Sequence, residues 1–202
     1  MKMEKFKPFN KIRRKNLTAY ITEKLDGTNA SVVVSRELLV GLPYLANVND
    51  CFIYAGSRKR WIEPNSKENK AADNFGFAGW VRDNAEMLVR LGPGQHYGEW
   101  VGPGIQKNPH ELEERKFYLF NHYRFKDVRP DCCEVVPLLD IGVYSAALIA
   151  DTMLSLKEQG SHIGGKPEGI MVYVPEADHY QKVTFEHSQG KWKDNEGDTE
   201  EY

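Results

Sequence analysis

At 202 residues, 41% of them hydrophobic and 28% charged, the chain is long enough for one substantial core or at most two small ones. No apolar run approaches the roughly 20 residues that cross a bilayer, and the charged start Met1-Lys2-Met3-Glu4-Lys5 leads into no apolar signal core. No membrane partner is therefore expected, a cytoplasmic location is, and a formal net charge of −2 excludes a uniformly basic nucleic-acid coat.

Charge is nevertheless uneven along the chain. Residues 1–24 hold eight Lys/Arg against two Glu, and residues 186–202 hold six Asp/Glu against two Lys. The basic start, with Lys11, Arg13, Arg14 and Lys15, offers a local phosphate-binding face. Strands are predicted over Tyr20–Leu25, Ser31–Val34 and Cys51–Ala55, where β-branched and aromatic residues cluster between turn signals. A helix follows over Asn74–Leu91, with Asp73 as a possible cap, Phe77, Trp80, Val81, Leu88 and Leu91 on one face, and Gly92-Pro93 as its stop. Strands resume at His96–Val101 and Phe117–Asn121. A second helix is predicted over Ser145–Gln159, capped by Ser145, striped by Leu148, Ile149, Thr152 and Leu156, and ended by Gly160. Strands at Gly169–Val174 and Tyr180–Phe185 complete the series. Strands that outnumber helices without alternating with them predict an α+β fold of antiparallel sheets with a few flanking helices, not a doubly wound parallel sheet. Residues 1–187 are expected to form the domain, and residues 188–202 an acidic, mobile tail.

Several chemistries find no support. Neither G-x-G-x-x-G nor G-x-x-x-x-G-K-[ST] occurs, so no dinucleotide fold or P-loop handles phosphate. Cys51, Cys132 and Cys133 are odd in number and two are adjacent, which suits reduced thiols better than a disulfide framework or a zinc site. The six histidines lack H-x-x-x-H spacing.

The most informative run is Glu23-Lys24-Leu25-Asp26-Gly27-Thr28-Asn29. A lysine held at a strand-to-turn junction beside a carboxylate is positioned to attack a nucleotide phosphate. On its own K-x-D-G is a weak pattern. Five further segments, each at or beside a predicted strand, add the groups that phosphoryl-type chemistry uses: Gly56-Ser57-Arg58, Tyr97-Gly98-Glu99-Trp100, Phe117-Tyr118-Leu119-Phe120, Pro167-Glu168-Gly169-Ile170 and Gln181-Lys182-Val183.

In this order the segments resemble the collinear motifs of the covalent nucleotidyltransferases, the superfamily of ATP-dependent ligases and capping enzymes. The likeness is nearest to the RNA ligase 2 family, because Thr28-Asn29 follows the Asp-Gly and Gly102-Pro103-Gly104-Ile105-Gln106 follows Glu99. It covers about Tyr20 to Phe185. The resemblance implies an adenylyltransferase (ATP-grasp-like ligase) domain, with an ATP pocket between two antiparallel sheets and Mg²⁺ or Mn²⁺ as the metal. It implies as substrate RNA with 5′-phosphate and 3′-hydroxyl ends, nicked or duplex. Lys24 matches the nucleophile and Glu23 the base-contacting carboxylate. Asn29 matches a residue near the 5′-phosphate, Arg58 a forked phosphate donor, Glu99 a ribose acceptor and Phe120 an adenine stack. Lys182 would contact the α-phosphate. Asp26 and Glu168 fit best as metal or water-shell ligands, since as bare carboxylates they would hold Lys24 protonated. Arg13, Arg14, Lys59 and Arg60 join Asn29 and Arg58 as expected RNA contacts.

Two departures stand out. Thr184 occupies the position where the family carries a second basic residue after Lys182, with Lys191 and Lys193 as candidate replacements. The family's carboxy-terminal domain has no counterpart after the tail, so a partner protein is a candidate to replace it. A minimal DNA ligase, or an adenylylated module that binds RNA without sealing it, are the alternative functions.

Overall fold

The alternation of Thr18–Lys24 (β1) buries Ala19, Ile21 and Glu23 on one side and turns Tyr20, Thr22 and Lys24 to the other. That period of two is what a strand with one buried face requires. The computed structural model describes residues 16–185. The expectations placed on Lys11, Arg13, Arg14 and Lys15, on Lys191 and Lys193, and on the acidic tail lie outside the described residues.

Further strands follow at Thr28–Ser35 (β2), Ala46–Val48 (β3), Cys51–Ser57 (β4), Trp61–Ile62 (β5), Gly94–Val101 (β6), Lys116–Leu119 (β7), Cys133–Val135 (β8), Leu138–Val143 (β9), Gly169–Val174 (β10) and His179–Thr184 (β11). Helices occupy Phe77–Asp83 (α1), Ala85–Leu88 (α2), His122–Phe125 (α3) and Ala146–Gln159 (α4). The strands form a four-stranded sheet, β11-β10-β1-β9, and a seven-stranded sheet, β3-β4-β2-β6-β7-β8, with β5 paired to β4. Every pairing is antiparallel except β7 with β8. This is the α+β arrangement of antiparallel sheets expected from the sequence. No helix among the described residues is long and apolar enough to cross a membrane.

Each sheet has its own core. Ala30, Val32 and Val34 of β2 face α1 and α2 across a cluster that includes Phe77, Val81, Leu88, Trp100 and Phe117. The rings dominate it, with Phe77 lying 5.3 Å from Trp100 and 5.0 Å from Phe117 between centroids. Burying such rings is the largest apolar contribution per residue that a core can make. On the four-stranded sheet, Ala19, Ile21, Ile170 and Val172 pack against Leu156, with Leu148, Ile149 and Met153 of α4 beside them. A third, smaller cluster of Leu25, Val101, Tyr118 and Val136 lies where the two sheets meet.

The second predicted helix matches α4: Ser145 caps it by accepting the Leu148 N–H at 3.1 Å, and Gly160 ends it. The first does not run unbroken. It divides at Asn84, whose side-chain amide and backbone N–H both turn to the Trp80 carbonyl, at 2.8 Å and 3.0 Å. Asn84 itself leaves helical geometry, with φ −108° and ψ 13°, which breaks the ladder after it, and a 3₁₀ turn over Val89–Leu91 closes the segment. At its start, Asp73 accepts from the backbone N–H of Ala78 and of Gly79 at 2.8 Å and 3.3 Å. This satisfies two amides that the first turn leaves without helical partners. Asp73→Ala is therefore expected to lower stability by about 1–2 kcal/mol, read as a lower urea midpoint at unchanged slope; an unchanged midpoint would show that the cap contributes nothing.

Candidate active site

Strand register sets the first half of the site. Across the four-stranded sheet Lys24 stands opposite Gly169, which stands opposite Thr184, and the next row on the same face is Thr22, Met171 and Lys182. Paired residues share a face, so Lys24 and Lys182 project from the same side of the sheet, one row apart. Glu168, immediately before β10, forms an ion pair through Oε2 with Lys24 Nζ, the two side chains being 26% and 23% exposed.

The seven-stranded sheet supplies the second half. Asn29 of β2 pairs with Glu99 of β6, which pairs with Tyr118 of β7, so these three lie on one face. Arg58 follows directly on β4, where Ser57 is opposite Ala30. Phe120 is one residue past β7 and extends its ladder by donating its N–H to the Tyr97 carbonyl at 3.0 Å. Its ring remains 40% exposed.

Gly27 joins the halves. A Cβ at this position would lie 2.5 Å from Val101 Cγ1, 2.6 Å from the Trp100 carbonyl oxygen and 2.9 Å from Glu99 Cγ. Only glycine lets the corner after Lys24 approach β6 this closely. The approach puts Glu99 in the electrostatic field of the Lys24–Asp26 segment. Burial raises the Glu99 carboxyl to about 7, Lys24 and Arg58 oppose the shift, and Glu168 and Asp26 add to it. Lys24, Asp26, Arg58, Glu99 and Glu168 are thus brought together from both sheets.

Glu23 sits deeper. It is 1% exposed; its Oε2 accepts the His162 backbone N–H at 2.9 Å, and its Oε1 is buried without a hydrogen-bond partner. It also lies within electrostatic reach of Tyr118, whose hydroxyl is pushed up to about 12 by burial, then by Glu134 and Glu23. A buried carboxylate oxygen lacking a donor is costly, and an N–H from a ligand would relieve that cost.

The remaining basic residues divide. Arg58 and Lys59 are exposed in the turn between β4 and β5. Arg60 directs its guanidinium to the carbonyls of Ala71, Ala72 and Asp73 at 2.8, 2.8 and 3.2 Å, so it braces the 71–73 segment. Among the described residues no three His, Cys, Asp or Glu side chains are grouped to hold a metal ion. The oxygen donors Asp26 and Glu168 nonetheless suit a hard divalent cation of the kind that takes one or two carboxylates and completes its shell with phosphate and water. Sequence reasoning missed two residues, His110 and His162. His110 is buried and its Nε2 accepts the Asp26 backbone N–H at 3.0 Å. Each lies in an irregular loop, and its hydrogen bond runs to a backbone N–H or through its own, with the His162 Nδ1 also 3.6 Å from Glu23 Oε2, so no periodicity or spacing points to it.

A family model for RNA ligases matches residues 17–193. Among solved structures, an RNA ligase variant of Naegleria gruberi bound to AMP and Mn is 19% identical, with a TM-score of 0.59, over 84% of this chain and 50% of the other. Another variant of that ligase, with ATP and Mn, is 20% identical, with a TM-score of 0.57, over the same shares. At these identities the likeness is one of fold, and the chain spans half the length of those relatives. No protein of curated function matches the sequence.

The Glu99 shift has a definite sign. With its folded value raised from 4.5 to about 7, the native state binds the proton more tightly than the unfolded chain, so this residue's contribution to stability falls as pH rises between those values. Glu99→Gln mimics the protonated form. The melting temperature of this variant relative to the parent is expected to climb by several degrees between pH 4.5 and 7.5 and then level off, whereas a pH-independent difference would refute the raised value.

Proposed function

This chain belongs to the RNA ligase family, and on that premise we propose that it is an ATP-dependent RNA ligase joining 5′-phosphate to 3′-hydroxyl ends through lysyl-AMP at Lys24. The observation that carries the reading is the Lys24–Glu168 ion pair lying in the field of Glu99, Asp26 and Arg58.

A free lysine is neutral in only about one molecule in 2,500 at pH 7, so Nζ must give up its proton to solvent before it can attack. A cation held by Asp26 and Glu168, with the charges of Arg58 and Lys182, would favour the neutral amine. That amine attacks the α-phosphorus of ATP. The N–P bond forms, the P–O bond to the β-phosphate breaks, and pyrophosphate leaves with the bonding pair. An RNA 5′-phosphate oxygen next displaces Lys24 from the adenylate, returning a proton to Nζ. A 3′-hydroxyl then displaces AMP and seals the strand. Asp26 and Glu168 are the residues that would hold Mg²⁺ or Mn²⁺, which when bound would offset charge on the phosphoryl oxygens and the leaving group.

The other side chains have roles that fit their surroundings. The unpartnered Glu23 Oε1 suits the adenine amino group, and the half-open Phe120 ring suits stacking on the base. Glu99 suits a ribose hydroxyl, and Lys182, on the Lys24 face, suits the α-phosphate. Exposed Arg58 and Lys59, with Asn29 on the Glu99 face, suit RNA phosphates.

Incubation of the pure chain with labelled ATP and a nicked duplex is expected to give both labelled protein and a joined strand. Lys24→Ala should lose the label and joining from ATP by at least about 10³-fold, yet still seal a pre-adenylated nick. A label that persists in Lys24→Ala removes Lys24 as nucleophile. Labelled protein that never joins a pre-adenylated strand would reduce the chain to a nucleotide-binding module, and equal sealing of ribose and deoxyribose nicks would contradict selectivity for RNA.

A further inference from the structure

One buried imidazole connects the segments that carry the site without reaching the reacting atoms. His110, 1% exposed, lies in the loop between β6 and β7. Its Nε2 accepts the Asp26 backbone N–H at 3.0 Å, and its Nδ1 lies 3.3 Å from the Gly164 carbonyl oxygen and 3.4 Å from Ser161 Oγ. A nitrogen that accepts leaves the ring proton on the other one. The neutral tautomer with hydrogen on Nδ1 therefore satisfies both ends, accepting from the nucleophile corner and donating to Gly164.

The loop on the far side of the ring is fixed to the same place. Lys166 donates its N–H to the Pro109 carbonyl at 3.0 Å. Gly165 has φ +61°, and a Cβ there would collide with the Pro109 carbonyl oxygen and the His110 backbone. Leu25, Leu112 and Ile163, from the same three segments, share the apolar cluster at the joint between the sheets. This loop also supplies the His162 N–H that binds Glu23 and leads into Glu168, the partner of Lys24.

We propose that His110 is a positioning residue for adenylylation, holding the Asp26 corner and the 161–168 loop in a single register so that Asp26 and Glu168 stay at Lys24 and the His162 N–H stays on Glu23. The assignment rests on the reading of Lys24 as the nucleophile. The ring contacts of His110 are the Asp26 N–H, the Gly164 carbonyl and Ser161 Oγ, so it acts through the corner and the loop. A side chain that merely filled the space could be replaced by any apolar group of similar size. One that sets register cannot, because an aliphatic group supplies neither the acceptor for Asp26 nor the donor for Gly164.

The test uses the full chain with His110→Leu, which fills the volume without either bond, and His110→Gln, which keeps an acceptor and a donor. Single-turnover labelling by ATP is measured across ATP concentration, alongside thermal melting and Lys24→Ala as control. Misplacement of a nucleophile by about 1 Å costs about 100-fold, so His110→Leu is expected to lose about that factor in maximal rate. Its half-saturating ATP should stay within about threefold of the parent's, and His110→Gln should recover most of the loss. A folded His110→Leu that labels at the parent's maximal rate overturns the assignment, as does a loss confined to the half-saturating ATP or a glutamine variant no faster than leucine. Should His110→Leu not fold, His110→Asn, too short to span both bonds, carries the same test with the same thresholds. Labelling absent from the parent or surviving in Lys24→Ala overturns the reading of the site, and this assignment with it. Labelling present in the parent, lost in Lys24→Ala and unchanged in the His110 variants overturns this assignment alone.

Discussion

The approach of Gly27 to β6 is the constraint on which the rest of the molecule depends. The two sheets have separate cores, one under the helices of the seven-stranded sheet and one between α4 and the four-stranded sheet. They are joined beside the site by a small cluster around Leu25, Val101 and Tyr118. A Cβ at position 27 would clash with main-chain and side-chain atoms of Trp100, Val101 and Glu99, so adding one carbon would push the sheets apart. The separation would fall directly between Lys24 and Glu99. Packing at the corner and geometry at the site are therefore one requirement, and the burial of Leu25, which is 4% exposed, anchors the segment from below.

Electrostatics follow from that junction. Three carboxylates, Asp26, Glu99 and Glu168, come from segments that meet here, with Lys24 and Arg58 as the cations in the field of Glu99, while Glu23 is buried on the opposite face of β1. Carboxylates crowded into a desolvated region cannot all remain ionised at little cost. Glu99 answers by holding its proton up to about pH 7, and Glu168 by pairing with Lys24. Glu23 has a single backbone donor and leaves one oxygen without a partner. Such an arrangement stores unfavourable energy that a ligand able to donate hydrogen bonds or bring positive charge would release. For the proposed reaction, a divalent cation held by Asp26 and Glu168 would also offset the repulsion between a triphosphate and these carboxylates.

Much of the architecture was legible in the sequence where a strong local signal coincided with burial. The strand Gly169–Val174 and the helix after Ser145 have the expected bounds, since the first is a compact β-branched run and the second is capped at both ends. The strands β3, β5 and β8 are two or three residues long, too short for periodicity to register. Strand β9 escaped for another reason: it follows Pro137, carries Asp140 and Gly142, and has no fully buried residue. The break at Asn84 was invisible because the apolar stripe continues in phase across it; what ends the helix is the backbone of one residue turning out of helical dihedrals.

The candidate site was legible to a different depth. Lys24, Glu99, Phe120, Glu168 and Lys182 were singled out by residue type and order along the chain, and the fold brings Lys24, Glu99 and Glu168 of these together. Each stands on or beside a strand, so its direction is fixed once the strand is paired. His110 and His162 are on no strand and belong to no motif. Their interactions run through the main chain, from the Asp26 N–H to an imidazole and from the His162 N–H to Glu23. Every residue but proline carries the same backbone donor, so residue type at the donating position says nothing about which distant side chain will accept from it. Side-chain chemistry is thus written in the sequence position by position, whereas the bonds that aim it emerge only when loops distant in the chain are folded against one another.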